Sequence, residues 1–101
     1  KLTIEEIQQA CAKKYGITMN DIVSHERTQF LVTPRQLAMY ISRKLTSKGL
    51  TEIAKAFEKK HATVINGVKT ITERLANEPD LKLNLEEIVS SLGHRLTDVI
   101  D

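Results

Sequence analysis

This 101-residue chain has no Gly-rich phosphate loop, no pair of cysteines and no long apolar run. Its four glycines are scattered and no Gly-Lys-Ser or Gly-Lys-Thr occurs, which excludes a nucleotide-hydrolysing loop in this chain. The lone Cys11 cannot close an internal disulfide, which fits a reducing cytosol, and its expected place is the buried face of the first helix. The histidines, His25, His61 and His94, stand far apart, and none has a metal-ligand neighbour at a usable spacing. No 18-residue apolar stretch exists, so no membrane span is expected, and no signal-peptide pattern opens the chain. The first residue is Lys1 rather than Met, so a piece of a longer protein is one expectation. Repeats, low-complexity tracts and internal linkers are missing too, and one domain over residues 1–101 is expected.

What is present is unevenly charged. Residues 1–24 are neutral, residues 25–70 carry nine basic against three acidic side chains, and residues 71–101 are net negative. A charge run is usually a solvated face, but a basic centre between neutral and acidic flanks favours a polyanionic partner. For Lys44, Lys48 and Lys55 the solvated-surface reading is preferred.

Helix signals run the length of the chain. Thr3 and Glu6 form a capping box, Ile4, Ile7, Ala10 and Cys11 make an apolar stripe, and Gly16 suits a C-cap. A short second helix follows over residues 18–24, burying Met19, Ile22 and Val23. Residues 25–32 lack a stripe and are expected as a loop. Thr33-Pro34-Arg35-Gln36 reads as a helix start, with Thr33 as N-cap and Pro34 in the first position, and the third helix is expected to end near Leu45. Gly49 precedes a fourth helix with Leu50, Ile53, Ala54 and Phe57 inside. In the fifth, residues 61–76, Val64, Val68, Ile71 and Leu75 lie within about 60° of one another. Pro79 stops that helix or opens the next. The sixth should bury Leu83, Leu85, Ile88, Val89 and Leu92 and end near Gly93, and residues 94–101 either extend it or fray. The expectation is an all-α, six-helix bundle without strands.

Residues 50–76 form a short helix, a tight turn and a longer helix with a polar, basic first turn. That is the outline of a helix-turn-helix, whose second helix is offered to a DNA major groove. Lys59 and Lys60 precede the second helix as candidate phosphate contacts, and Ala62, Asn66, Lys69 and Glu73 lie on its outer face. His61 stands about 60° from Val64, so base contact and packing are equally open for it. The paired carboxylates Glu5-Glu6 and Glu86-Glu87 are expected in helix first turns, where the macrodipole accounts for them without catalysis. No enzymatic constellation emerges.

Several ordered runs carry a resemblance: Thr33-Pro34-Arg35-Gln36-Leu37-Ala38-Met39-Tyr40, then Leu45-Thr46, Leu50-Thr51-Glu52-Ile53, Ala56-Phe57 and His61-Ala62-Thr63-Val64-Ile65. Together, over about residues 3–93, they resemble the C-terminal DNA-binding domain of the bacterial replication initiator DnaA. The resemblance implies a helical bundle that binds DnaA boxes in replication origins, with the recognition helix in the major groove and an arginine from the preceding loop in the minor groove. It implies base contacts from His61, Lys60, Ala62 and Arg27. It also implies phosphate contacts from Arg35, Gln36, Arg43, Thr46, Leu50 and Thr63, to which the basic character of Lys59 and Lys69 adds two more. Double-stranded DNA is the implied partner, with replication-initiation proteins as a second class. No cofactor is expected in this chain, ATP belonging to an upstream domain of a full initiator. A monomeric, cytoplasmic, nucleoid-associated domain is the corresponding expectation.

The chain departs from the family where bases are chosen. The usual FGGRDHTTV becomes Phe57-Glu58-Lys59-Lys60-His61-Ala62-Thr63-Val64, one residue shorter. Lys60 replaces an aspartate that caps the helix and contacts a base, turning an acceptor into a donor. Ala62 replaces a threonine and keeps only a methyl group. The loop holds His25, Glu26 and Gln29 where the family is rich in basic residues, and Thr51 stands at a common proline. Two other function classes therefore accompany the DNA reading: a module that docks on the initiation machinery, and a transcription regulator.

Overall fold

The computed structural model describes residues 1–100 and contains six α-helices, a terminal 3-10 turn and, among the described residues, no strand. The elements are α1 (Ile4–Tyr15), α2 (Met19–Val23), α3 (Gln29–Leu45), α4 (Leu50–Phe57), α5 (His61–Leu75), α6 (Pro79–Ser91) and the 3-10 turn Leu96–Asp98.

The first two helices start where local chemistry directs. Thr3 Oγ1 accepts from the Glu6 amide at 3.1 Å while Glu6 Oε1 accepts from the Thr3 amide at 2.8 Å, and Thr18 with Asp21 repeats the exchange. Gly16 ends α1 at φ 67°, a left-handed conformation that glycine adopts without a side-chain clash.

The third helix begins a full turn earlier than its threonine-proline pair suggests. Thr28 is the N-cap, its carbonyl accepting from the amides of Leu31 and Val32, and Pro34 sits inside the helix. Proline in a helix interior removes one hydrogen bond. Here the carbonyl left without its donor belongs to Phe30, at the exposed end of the helix, where water can serve in its place. The extra turn also half-buries Leu31 and Val32. Thr33 does not cap; its hydroxyl accepts instead from Arg74 Nη1 of α5 at 2.9 Å.

Helix α3 runs through the centre of the molecule and packs on α1, α2, α4 and α5, so nine consecutive-turn residues between Thr33 and Ser42 are buried. Phe57, Ile7, Ile22, Leu37, Ile41, Ile53, Val64 and Ile71 close the core around it. Helix α6 covers α1 and α5. Its buried face is Leu81, Leu85, Ile88 and Val89, whereas Leu83 is 52% exposed. Leu83 is two residues, about 200°, from both Leu81 and Leu85, so it cannot share their face. Because α6 opens at Pro79, Glu86 and Glu87 lie past its first turn, and Glu87 pairs with Lys14 of α1.

The end of the chain neither extends α6 nor frays, as far as Ile100; Asp101 lies outside the described residues. Leu96–Asp98 turns back over the core, Val99 is buried, and Tyr40 Oη donates to the Val99 carbonyl at 2.6 Å. No helix among the described residues is long and apolar enough to cross a membrane.

Candidate nucleic-acid interface

The α4–α5 pair is joined by residues 58–60. Glu58 turns the chain at φ 54°, its amide reaching the carbonyls of Ala54 and Lys55, and the Lys59 amide donates to Ala54 at 2.9 Å. This double closure satisfies the last carbonyls of α4 and swings the chain directly into α5. The apolar faces of the two helices, Ile53, Ala54 and Phe57 with Val64 and Ile71, lock them against α3.

The start of α5 is left open. Lys60 occupies the N-cap position and no side-chain cap hydrogen bond is made there. The first-turn amides and the positive end of the helix dipole therefore stand beside an exposed lysine, an arrangement that favours an anion. His61, Ala62, Thr63 and Ile65 are all exposed. Exposure decides the open question at His61: it does not pack in the core. Ile65, 52% exposed, was not among the expected site residues. Its signal is an isoleucine about 100° from Val64, off the core stripe.

Beside the open end of α5 runs a groove of about 910 Å³, bordered on one side by His25 and Arg27 of the α2–α3 loop and on the other by Lys60, Ala62 and Thr63. Gln36 and Asn66 contribute to its wall. The fold thus brings Arg27, Gln36, Lys60, Ala62 and Thr63 to one concavity although 36 residues separate the first from the last. Arg43, Thr46 and Leu50 lie apart, at the α3–α4 junction. There Thr46 ends α3, its hydroxyl donating to the Ser42 carbonyl at 2.7 Å, and Leu50 opens α4 half-buried. Lys69 is exposed farther along α5. Of the lysines read as solvated surface, Lys44 lies 5.5 Å from the centre of the Tyr40 ring and Lys48 pairs with Glu52 at 3.7 Å, while Lys55 is exposed at the groove.

Two expected phosphate contacts have other employment. Arg35 is 5% exposed, and its guanidinium donates to the carbonyls of Ile22, Glu26 and Asp21 and to Ser24 Oγ, at 2.8 to 3.0 Å. Burial pushes its pKa down, with Asp21 and Glu26 opposing, and an arginine so placed stays charged. Lys59 Nζ donates to the Val23 carbonyl at 2.7 Å and the Phe57 carbonyl at 3.2 Å. Burial, then the neighbouring Arg35 charge, lower its pKa. Both side chains turn inward because α2 ends there with no basic residue of its own in its last turn. The charge pattern alone carried no sign of this.

An open, basic helix-turn-helix with a flanking arginine loop defines a class, the helix-turn-helix nucleic-acid-binding domains. Sequence comparison places it more closely. A family model described as the bacterial dnaA protein helix-turn-helix matches residues 4–71. The chain is 38% identical over 94 residues, 92% of its length, to the chromosomal replication initiator protein DnaA of Rickettsia akari, of which it covers 20%. The same protein of Rickettsia canadensis is 38% identical over 92 residues, covering 90% of this chain and 20% of that one. The chain therefore belongs to the bacterial DnaA helix-turn-helix family, and it spans about a fifth of the length of these relatives. This part is the DNA-binding helix-turn-helix of the family and not a catalytic domain.

Proposed function

We propose that residues 1–101 act as one domain that binds double-stranded DNA in a sequence-specific manner, at DnaA-box-like sites of a replication origin. The observation that carries this is the basic groove between the Arg27 loop and the uncapped start of α5. Helix α5 enters the major groove with His61, Lys60 and Ala62 towards the bases, and Arg27 enters the adjacent minor groove, whose negative potential favours a guanidinium. Lys60 donates where the family accepts, so it favours guanine O6 or N7. Ala62 and Ile65 offer only methyl groups and suit the C5-methyl of thymine. Gln36, Thr63, Lys69, Arg43, Thr46 and the start of α4 at Leu50 meet phosphates. The chain serves either as the DNA-binding domain of a full initiator, where ATP would belong to an upstream domain, or as a stand-alone relative. Replication-initiation proteins are the second partner class, the domain is a monomer, and the setting is the cytoplasmic nucleoid.

Selection of preferred sites from random duplexes, followed by binding against salt, tests this reading. A short box should emerge, with log K falling against log salt at a slope of about −4 to −6. Arg27→Ala and His61→Ala should each relax preference at their own positions, by about tenfold at a wrong base pair. The departures at Lys60 and Ala62 favour one other reading, a module that docks on initiation proteins. Undetectable duplex binding at about 50 mM salt would remove the DNA reading and leave that one.

A further inference from the structure

Helix α2 has five residues and ends in an extended Ser24; of its final carbonyls only that of Asp21 has a local partner, the Ser24 amide and hydroxyl. Three consecutive ones each receive a cation from elsewhere. Arg35 of α3 supplies Asp21 and Ile22, and Lys59, from the turn of the helix-turn-helix, supplies Val23. Arg35 also reaches the Glu26 carbonyl, one residue before Arg27. Four of the five guanidinium N–H groups are thereby used. A phosphate could take more than the one remaining N–H of Arg35 only by dismantling the loop that it holds.

We infer that Arg35 and Lys59 are positioning residues: a cationic brace that ties the Arg27 loop to the helix-turn-helix turn and sets the offset between the minor-groove arm and the major-groove helix. The inference rests on the DNA-binding reading. Lys59 is the informative member, because its ammonium links two segments 36 residues apart, Val23 at the root of the loop and the turn that delivers α5. Reading two adjacent grooves at once needs that offset fixed before contact; otherwise loop ordering is subtracted from binding. A brace acts on the Arg27 contact specifically, whereas a phosphate contact acts on every duplex alike.

The test pairs Lys59→Met with a minor-groove probe on the duplex selected by the unaltered chain. Replacing an A·T pair by G·C adds an amino group to the minor groove, and replacing it by inosine·cytosine does not. The diagnostic pair is one where G·C, but not inosine·cytosine, weakens the unaltered chain by about tenfold and Arg27→Ala abolishes the difference. Lys59→Met should shrink that penalty to about twofold, leave discrimination at the α5 positions intact, and add nothing in the Arg27→Ala background. A uniform loss on all duplexes, with the salt slope less steep by about 1 and the penalty retained, would make Lys59 a phosphate contact and overturn the inference. Amide hydrogen exchange of the DNA-free protein gives a second readout. The amides of Ser24 and Glu26, which donate to the Asp21 carbonyl and to Ser24 Oγ, should exchange at least tenfold faster in Lys59→Met while the centre of α3 is unchanged. Equal protection refutes the brace whatever DNA does, and faster exchange without any duplex binding refutes the DNA reading and confines the brace to the fold. Arg35→Lys, which keeps a charge but loses the fork, should show the same exchange change.

Discussion

Gly67 of α5 lies so close to Met39 of α3 that a β-carbon built on it would stand 2.9 Å from the methionine sulfur and 3.4 Å from Gln36 Cγ. Glycine inside a helix costs about 1 kcal/mol relative to alanine, and here it lets α5 approach the central helix. Gly67→Val should destabilise the fold by about 1–3 kcal/mol through overpacking, read as a lower urea midpoint. Gly67→Ala should do less, since the gain in helix propensity offsets part of the Met39 shift. A valine variant as stable as the parent would mean that this contact is slack.

The turn of the helix-turn-helix holds its own reserve of stability. Glu58 is the one non-glycine residue with positive φ among the described residues, in the left-handed region that disfavours a β-carbon by about 1–2 kcal/mol. Glu58→Gly should raise stability by about 0.5–1 kcal/mol, the remainder lost to the freedom of glycine in the unfolded chain. Thermal melting of the two proteins checks it. A lower melting temperature would show that the glutamate side chain contributes a contact worth more than the backbone cost.

Exposed apolar residues at the start of α5 predict how bases are distinguished. If Ala62 and Ile65 touch thymine methyl groups, deoxyuridine at those thymines should weaken binding by about threefold to tenfold, and Ile65→Ala should remove the difference at one of them. Equal affinity for thymine and deoxyuridine at every position of the site would exclude methyl readout.

Ser42 is fully buried, and its Oγ has no hydrogen-bond partner among the described residues. A buried hydroxyl without a partner costs roughly 1–3 kcal/mol, so Ser42→Ala should stabilise the protein by about 1 kcal/mol in denaturant unfolding. Destabilisation would instead point to a buried water held by that hydroxyl.

Acid should loosen two joints. Arg74 hydrogen-bonds Glu78 through Nε at 2.8 Å and Nη2 at 3.0 Å, and holds its pKa below the ordinary 4.5. The Arg95 amide, and then the His94 ring, hold Asp98 below its ordinary 3.8. A carboxylate whose folded pKa is depressed adds stability above its unfolded value and loses it as the pH falls through the folded one. The urea midpoint should therefore drop from about pH 4.5 downward, and less steeply in Glu78→Gln. An identical acid profile in that variant would dismiss the Arg74–Glu78 pair as a contributor, as happens for many surface pairs.

Much of the architecture is legible in one chain because its causes are local. The boxes at Thr3–Glu6 and Thr18–Asp21, the glycine at 16 and the stripe Val64, Val68, Ile71, Leu75 act between residues three or four apart. Helix existence and the helix-turn-helix follow from them. Where the expectation missed, a longer-range cause had intervened. Thr33 was free to leave its capping role because Arg74 lies beside its hydroxyl, and Pro34 was tolerated because packing around α3 outweighs one lost hydrogen bond. In α6 the choice between Leu81 and Leu83 depended on which face met α1 and α5.

The sequence by itself determined the helices, the position of the helix-turn-helix, the basic centre of the chain and its membership of the DnaA family, since each is written in neighbouring residues or in their order. Only the tertiary structure decided that Arg35 and Lys59 turn inward to the end of α2, and that Val99 is held by Tyr40. The partners in these contacts lie 13, 36 and 59 residues apart for Arg35–Ile22, Lys59–Val23 and Tyr40–Val99. At such separations a cation reads as surface charge until the fold shows which carbonyls were left without donors.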